Sequence, residues 1–111
     1  MTRDPAQDNA TVALVLDQLD PLPIIVRRLF GGYSLYLGDK LPAFVMDDTV
    51  CLKITEYADD RLIDDYKGEI YPGSKDYWRL PGDLLEDRDW LQHAFTETAA
   101  RIAPPKPRKR R

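Results

Sequence analysis

Apolar residues recur along this chain at two periods, and the change of period marks its elements. Val12, Val15, Leu16 and Leu19 fall at i, i+3, i+4 and i+7, the stripe of an amphipathic helix. Asp8 or Asn9 stands where a side-chain oxygen caps a helix start, and Pro21 and Pro23, which lack the amide donor, end it. The period then shortens. Residues 24–30, 33–37, 41–46 and 49–54 are β-reading segments separated by Gly31-Gly32, Gly38-Asp39-Lys40 and Asp47-Asp48. In the last of them Val50, Leu52 and Ile54 alternate with Thr49, Cys51 and Lys53. The four segments predict an antiparallel meander. Helical spacing returns over 58–66, where Leu62, Ile63 and Tyr66 face inward and the aspartates outward. Short strands are expected at 69–71 and 77–80, the second stopped by Pro81-Gly82. A final helix is expected from about 83–87 to 102, with Leu91, Ala94, Phe95, Thr98 and Ile102 as its stripe.

Helices flanking a run of strands predict an α+β fold: two layers, an antiparallel sheet covered by helices on one face. No alternating strand–helix–strand pattern exists, so a dinucleotide-binding fold is not expected. At 111 residues with 43% hydrophobic positions, there is enough apolar side chain for one core. Residues 1–8 read as a flexible N-terminus, 9–103 as the folded domain and 104–111 as a disordered basic tail. No apolar run approaches the length that spans a bilayer, and the polar, acidic start does not resemble a secretory signal. One cysteine, Cys51, leaves no internal disulfide. These features predict a cytoplasmic protein that does not enter membranes.

The net charge of −3 hides an asymmetry. Lys106, Arg108, Lys109, Arg110 and Arg111 lie within the last eight residues, and the other 11 cations face 19 carboxylates. The body is acidic and repels polyanions. The tail, held extended by Pro104, Pro105 and Pro107, has the composition of a counterion-releasing arm for nucleic acid or another acidic surface.

Candidate chemistry is sparse. His93, the single histidine, lies one helical turn from Asp89 and from Glu97, a set too small to predict a metal site. Cys51 in mid-strand reads as a packed small hydrophobe. Asp59, Asp60, Asp64 and Asp65 lack calcium-loop spacing, and Gly31-Gly32 is a backbone bend without a phosphate-loop pattern. No cofactor or metal is expected. The basic residues Arg27, Arg28, Lys53 and Arg79 stand out because they lie in or beside strands. Tyr33, Tyr36, Tyr77 and Trp78 are interleaved with them, which resembles a nucleic-acid platform in composition. Arg27 and Arg28 are adjacent in one strand and therefore must point to opposite faces.

The segment Arg27-Arg28-Leu29-Phe30-Gly31-Gly32-Tyr33, then Leu35-Tyr36, Ala43-Phe44-Val45, Asp47-Asp48 and Cys51-Leu52-Lys53, resembles the TfoX/Sxy N-terminal domain family. Downstream, Tyr77-Trp78-Arg79-Leu80-Pro81 and Leu84-Leu85-Glu86-Asp87 resemble its aromatic strand, proline and last helix. The match covers about residues 9–102 and departs from the family pattern at Ser34, Pro42 and Cys51. The resemblance implies a two-layer fold of the secretion-chaperone type and a link to transcriptional co-activation in natural competence. It implies no enzymatic activity. The longer regulators carry a second, C-terminal helical domain, so this sequence reads as a single-domain member.

The expected function is that of a non-enzymatic interaction domain, a regulatory accessory to transcription or competence. Arg28, Phe30, Tyr33, Tyr36 and Lys53 are the expected partner-binding residues, and Gly31, Gly32 and Pro81 are structural. The alternative is a nucleic-acid-binding protein that uses the basic tail and the basic and aromatic sheet face. A protein partner of unknown identity is expected, and pairing of sheet edges would give a homodimer.

Overall fold

A computed structural model of the chain describes residues 9–29 and 31–103. Helix α1 (Ala10–Leu19) forms on the predicted stripe and buries Val12, Val15 and Leu19. Asn9 is its cap: Oδ1 accepts the Val12 N–H at 3.0 Å, and the side-chain amide donates to Asp48 Oδ1 at 3.0 Å. Four strands follow, β1 (Ile24–Leu29), β2 (Gly32–Leu37), β3 (Lys40–Met46) and β4 (Thr49–Lys53), each antiparallel to the next. Asp47 and Asp48 turn β3 into β4 with φ of 55° and 60°, a conformation that aspartate tolerates better than most residues.

The second half differs from expectation at three places. Residues 58–63 form no helix, and only Asp64–Tyr66 makes one 3-10 turn. The cause is local: Asp59 accepts the Arg61 N–H at 2.8 Å through its carboxylate and the Leu62 N–H at 2.9 Å through its carbonyl. Side-chain bonds of this kind compete with the helix. The short strand falls earlier than predicted, as β5 (Lys67–Glu69), and pairs with β6 (Asp76–Leu80). The last helix is two helices, α2 (Gly82–Leu85) and α3 (Arg88–Ala100). Glu86 closes the first, its N–H donating to the Gly82 carbonyl at 3.0 Å, and Asp87 caps the second, its Oδ1 accepting the Trp90 N–H at 3.1 Å. Pro81, extended at the start of α2, offers its carbonyl to the Leu84 and Leu85 N–H groups.

The six strands form one antiparallel sheet in the order β1-β2-β3-β4-β6-β5. Its alternation sorts the side chains. Leu35, Val45, Val50, Leu52 and Leu80 point to one face and meet α1 and α3 in the main core, where Phe95 and Leu91 have no exposure. Helix α3 packs across β3 and β4 and against α1 and α2. The expected α+β architecture, a sheet with helices on one face, is therefore present. Lys40 fastens the layers at one end: its Nζ donates to the Ala99 carbonyl at 3.2 Å and the Ile102 carbonyl at 2.7 Å. These carbonyls lie at the C-terminal end of α3, where a cation offsets the helix dipole.

The other face carries a smaller cluster of Met46, Cys51 and Tyr77, with Phe44 and Ile70 packed against it. Ile70 belongs to the β5–β6 connection, so residues 70–75 lie as a strap over this face. Ser74 holds the strap's shape, its Oγ accepting the Ile70 N–H at 3.0 Å and donating to the Lys75 carbonyl at 2.8 Å.

Candidate functional site

The register decides which predicted residues meet. Arg27 pairs with Ser34, Ser34 with Phe44, Phe44 with Cys51 and Cys51 with Arg79. This row, and the next one with Ile25, Tyr36, Lys53 and Tyr77, faces away from the helices. Arg28 pairs with Tyr33 in a row of the helix-bearing face. The five residues expected to form one partner surface are thus divided. Tyr36 and Lys53 lie on the open face, while Arg28 and the buried Tyr33 belong to the covered face. Phe30 and the tail residues Lys106, Arg108, Lys109, Arg110 and Arg111 lie outside the described residues. Of the adjacent arginines, Arg27 is the one on the open face, with its guanidinium 5.9 Å from the Tyr36 ring centroid.

Around Arg27 the open face is mixed in character. Ile25 and Leu29, on the same side of β1, are 51% and 37% exposed, and Tyr71 at the strap is 58% exposed. Apolar side chains of this size seldom stay so open without a use when they lie together. Leu29, Gly31, Met46 and Tyr71 line an apolar hollow of about 420 Å³. A second hollow of about 230 Å³ shares Met46 and Tyr71 and is lined on its far side by Cys51, Ile70 and Arg79. Neither Tyr71 nor Leu29 stood out in the sequence, because the strap's path across the sheet depends on long-range packing. The alternation in β1 was the one available signal for Leu29.

Arg27, Lys53, Lys75 and Arg79 bring positive charge to this face, and Asp47 and Glu69 bring carboxylates to the smaller hollow beside Arg79. Lys53 lies near Lys75, and burial and then that like charge hold its ammonium below the usual lysine range. Lys75 also stands over an aromatic ring, with Nζ 5.9 Å from the Tyr77 centroid. Arg79 lies across Gly68, where a Cβ would come within 3.0 Å of its side chain. Burial pushes the Cys51 thiol up to about 11, against a smaller lowering by Arg79. The thiol is therefore protonated at neutral pH and poorly nucleophilic.

His93 and Cys51 do not meet. Cys51 points to the open face, and His93 is on α3 beyond the covered face, its ring 5.8 Å from that of Tyr57. Tyr57 fixes the irregular loop to α3: Arg101 covers its ring at 5.8 Å, and its hydroxyl donates to Asp59 at 3.2 Å. Burial and then the Asp59 charge push that phenol up to about 12. Among the described residues no group of three or more His, Cys, Asp or Glu side chains is placed to hold a metal ion. No helix of the described residues is long and apolar enough to cross a membrane.

Gly31 and Gly32 set the shape of the open face beside Leu29. Gly31 has φ of 90°. A Cβ on Gly32 would collide with the Val45 carbonyl oxygen and approach Met46 Sδ to 2.6 Å. The glycines thus let β2 and β3 approach at the end where the apolar hollow opens.

Two comparisons bear on this geometry. An uncharacterised 12.7 kDa protein of Spirochaeta aurantia, named for its position in the trpE 5′ region, is 38% identical over 105 residues. The match covers 94% of this chain and 90% of that protein. Residues 15–102, from the middle of α1 to just beyond α3, match the TfoX N-terminal domain, and the chain belongs to that family.

Proposed function

We propose that this domain is a non-enzymatic interaction module that docks a protein partner on its open sheet face. It would serve as a cytoplasmic accessory to transcriptional regulation of the kind the family resemblance implies. One observation carries the reading. The sheet spends one face on its core and leaves the other only partly roofed, with Ile25, Leu29 and Tyr71 exposed beside Arg27. The raised thiol of Cys51 and its separation from His93 support a non-catalytic role. The test is affinity capture with the full chain, Arg27→Glu and Lys53→Glu, followed by hydrogen exchange on the recovered complex. Loss of the captured protein with both variants, and protection of β1 and the strap, is the expected result. An unchanged captured set with protection elsewhere would overturn the reading.

A second reading is supported by the alternation of cations and rings, Arg27 with Tyr36 and Lys75 with Tyr77. This is the composition of a nucleic-acid platform. Fluorescence anisotropy of labelled duplex DNA, against the full chain and a 1–103 truncation at two salt concentrations, separates its parts. Salt-sensitive binding by the full chain alone assigns it to the tail. Equal binding by the truncation assigns it to the sheet.

A further inference from the structure

The two hollows of the open face differ in chemistry and share a wall. The smaller, of about 230 Å³, has the guanidinium of Arg79 and the carboxylates of Asp47 and Glu69 among its lining groups. The larger, of about 420 Å³, is lined by Leu29, Gly31, Met46 and Tyr71 and is apolar. Met46 and Tyr71 belong to both. Together the hollows fall within the about 300–1,000 Å³ of small-molecule sites, and a mainly apolar lining with a few convergent polar groups is the usual make-up of such sites.

The site is built rather than incidental. Gly68 gives Arg79 its place: a Cβ there would stand 3.0 Å from the arginine Cδ, so a side chain at 68 would push the arginine off β5. The strap wall is held by Ser74, whose Oγ accepts the Ile70 N–H and whose own N–H donates to the Tyr71 carbonyl at 3.0 Å. Arg79 acts electrostatically on the Cys51 thiol. Among the described residues, the side chains of Arg79, Asp47 and Glu69 enter no hydrogen bond or ion pair. Their charges are thus left to a ligand or to water.

We infer that the joined hollows bind a free α-amino acid with a large apolar side chain. Its carboxylate takes the planar fork of Arg79, a pairing that guanidinium geometry favours. Its ammonium lies toward Asp47 and Glu69, and its side chain enters the hollow beside Leu29. The inference goes beyond the docking of a protein and does not depend on it.

Other ligands answer only part of this set. A fatty acid or a phosphate would satisfy Arg79 and be repelled by the two carboxylates. A metal ion would satisfy the carboxylates and be repelled by the guanidinium. The N-terminus of a peptide would leave Arg79 unmatched, and a C-terminus would leave Asp47 and Glu69 unmatched. A free amino acid carries both charges on neighbouring atoms with an apolar group beside them.

The test is isothermal titration of the full chain with L-phenylalanine and L-leucine. N-acetyl-L-phenylalanine and L-phenylalaninamide, each lacking one of the two charges, are titrated alongside. Saturable binding of a free amino acid is expected, with both blocked forms weaker by at least about tenfold, the size of one lost charge-assisted hydrogen bond. Arg79→Gln should weaken L-phenylalanine by a similar factor and leave L-phenylalaninamide unchanged. Glu69→Gln should weaken L-phenylalaninamide and leave N-acetyl-L-phenylalanine unchanged. If a variant fails to fold, the ligand series on the unaltered chain still decides. Equal binding of the free and blocked forms would overturn amino-acid recognition. An amide that binds as tightly as the free acid would reassign the site to a peptide N-terminus, and binding of neither free amino acid would end the inference. Capture of a protein through Arg27 and Lys53 is read separately, so the proposed function stands or falls without this result.

Discussion

Arg27 and Arg28 are neighbours in the chain and lie on opposite faces of the sheet, each beside a different tyrosine. Arg27 stands 5.9 Å from the Tyr36 ring on the open face, and Arg28 stands 5.6 Å from the Tyr33 ring on the covered one. Each exposed contact of this kind contributes about 0.5–1 kcal/mol. Arg27→Ala should therefore lower stability by no more than about 1 kcal/mol in urea denaturation. The same variant should lose partner capture. A melt that collapses with Arg27→Ala would make the residue structural instead.

Lys53 should trade stability for binding. Its folded-state pKa is lowered, so the folded protein holds this proton less tightly than the unfolded chain does. The charged ammonium therefore disfavours folding below its pKa, and the penalty fades as pH rises through that range. Lys53→Met should raise the melting temperature slightly, since solvent screening keeps the effect of a half-exposed ammonium small. Capture of a partner should fall in the same variant. A drop in melting temperature would show that the ammonium makes a stabilising contact.

The carboxylates facing Arg61 and Arg101 predict the acid limb of the stability curve. Asp87 bonds Arg61 at 2.6 Å and Glu97 bonds Arg101 at 2.6 Å, and these hydrogen bonds hold both carboxyl groups below their ordinary values of 3.8 and 4.5. Asp59 is also held low: burial would raise it, but the Arg61 N–H and Tyr57 hydroxyl bonds prevail. Each contribution is complete above the ordinary value and is lost as pH falls through the lowered one. Stability should thus decline below about pH 4, and the slope should flatten in Asp87→Asn. An unchanged slope would remove this pair from the account.

Cys51 should resist alkylation. A thiol raised from 9.0 to about 11 has a thiolate fraction at pH 8 about 100-fold below the unperturbed one. Iodoacetamide should modify the native protein at least that much more slowly than the urea-unfolded chain. Comparable rates would mean that the strap opens readily over the cluster.

Glycines 32 and 82 should respond oppositely to alanine. At Gly32 the new methyl group meets the Val45 carbonyl where the β2–β3 pair begins, and overpacking of that kind costs about 1–3 kcal/mol or more. At Gly82 a Cβ meets nothing within 4 Å, at an ordinary backbone angle, and alanine there should stabilise by about 0.4–1 kcal/mol. Urea titrations of the two variants check the pair.

Local chemistry made most of the fold legible. Asn9, the two prolines, the paired aspartates and the alternation of Val50 and Leu52 each act over a few residues, and all appear where they were expected. The failures were competitions. Over 58–66 the helical spacing of Leu62 and Tyr66 was real, but Asp59 offered its neighbours better hydrogen bonds than a helix would. Asp87 similarly divided a continuous apolar stripe by capping a new helix. For the site, the sequence could show that Arg27 and Arg28 diverge but not which of them faces the helices. That choice depends on strand register, set by packing of Leu35 and Val45 against α1 and α3. The strap was invisible because Ile70 and Tyr71 reach residues more than twenty positions away.

The bond from Lys40 to the Ala99 and Ile102 carbonyls fixes where the backbone departs the fold. Residue 103 leaves from the helical layer, on the reverse side of the sheet from Arg27 and Tyr71. The C-terminal end of the helical layer and the open face are therefore separate surfaces of the domain, divided by the sheet and its core.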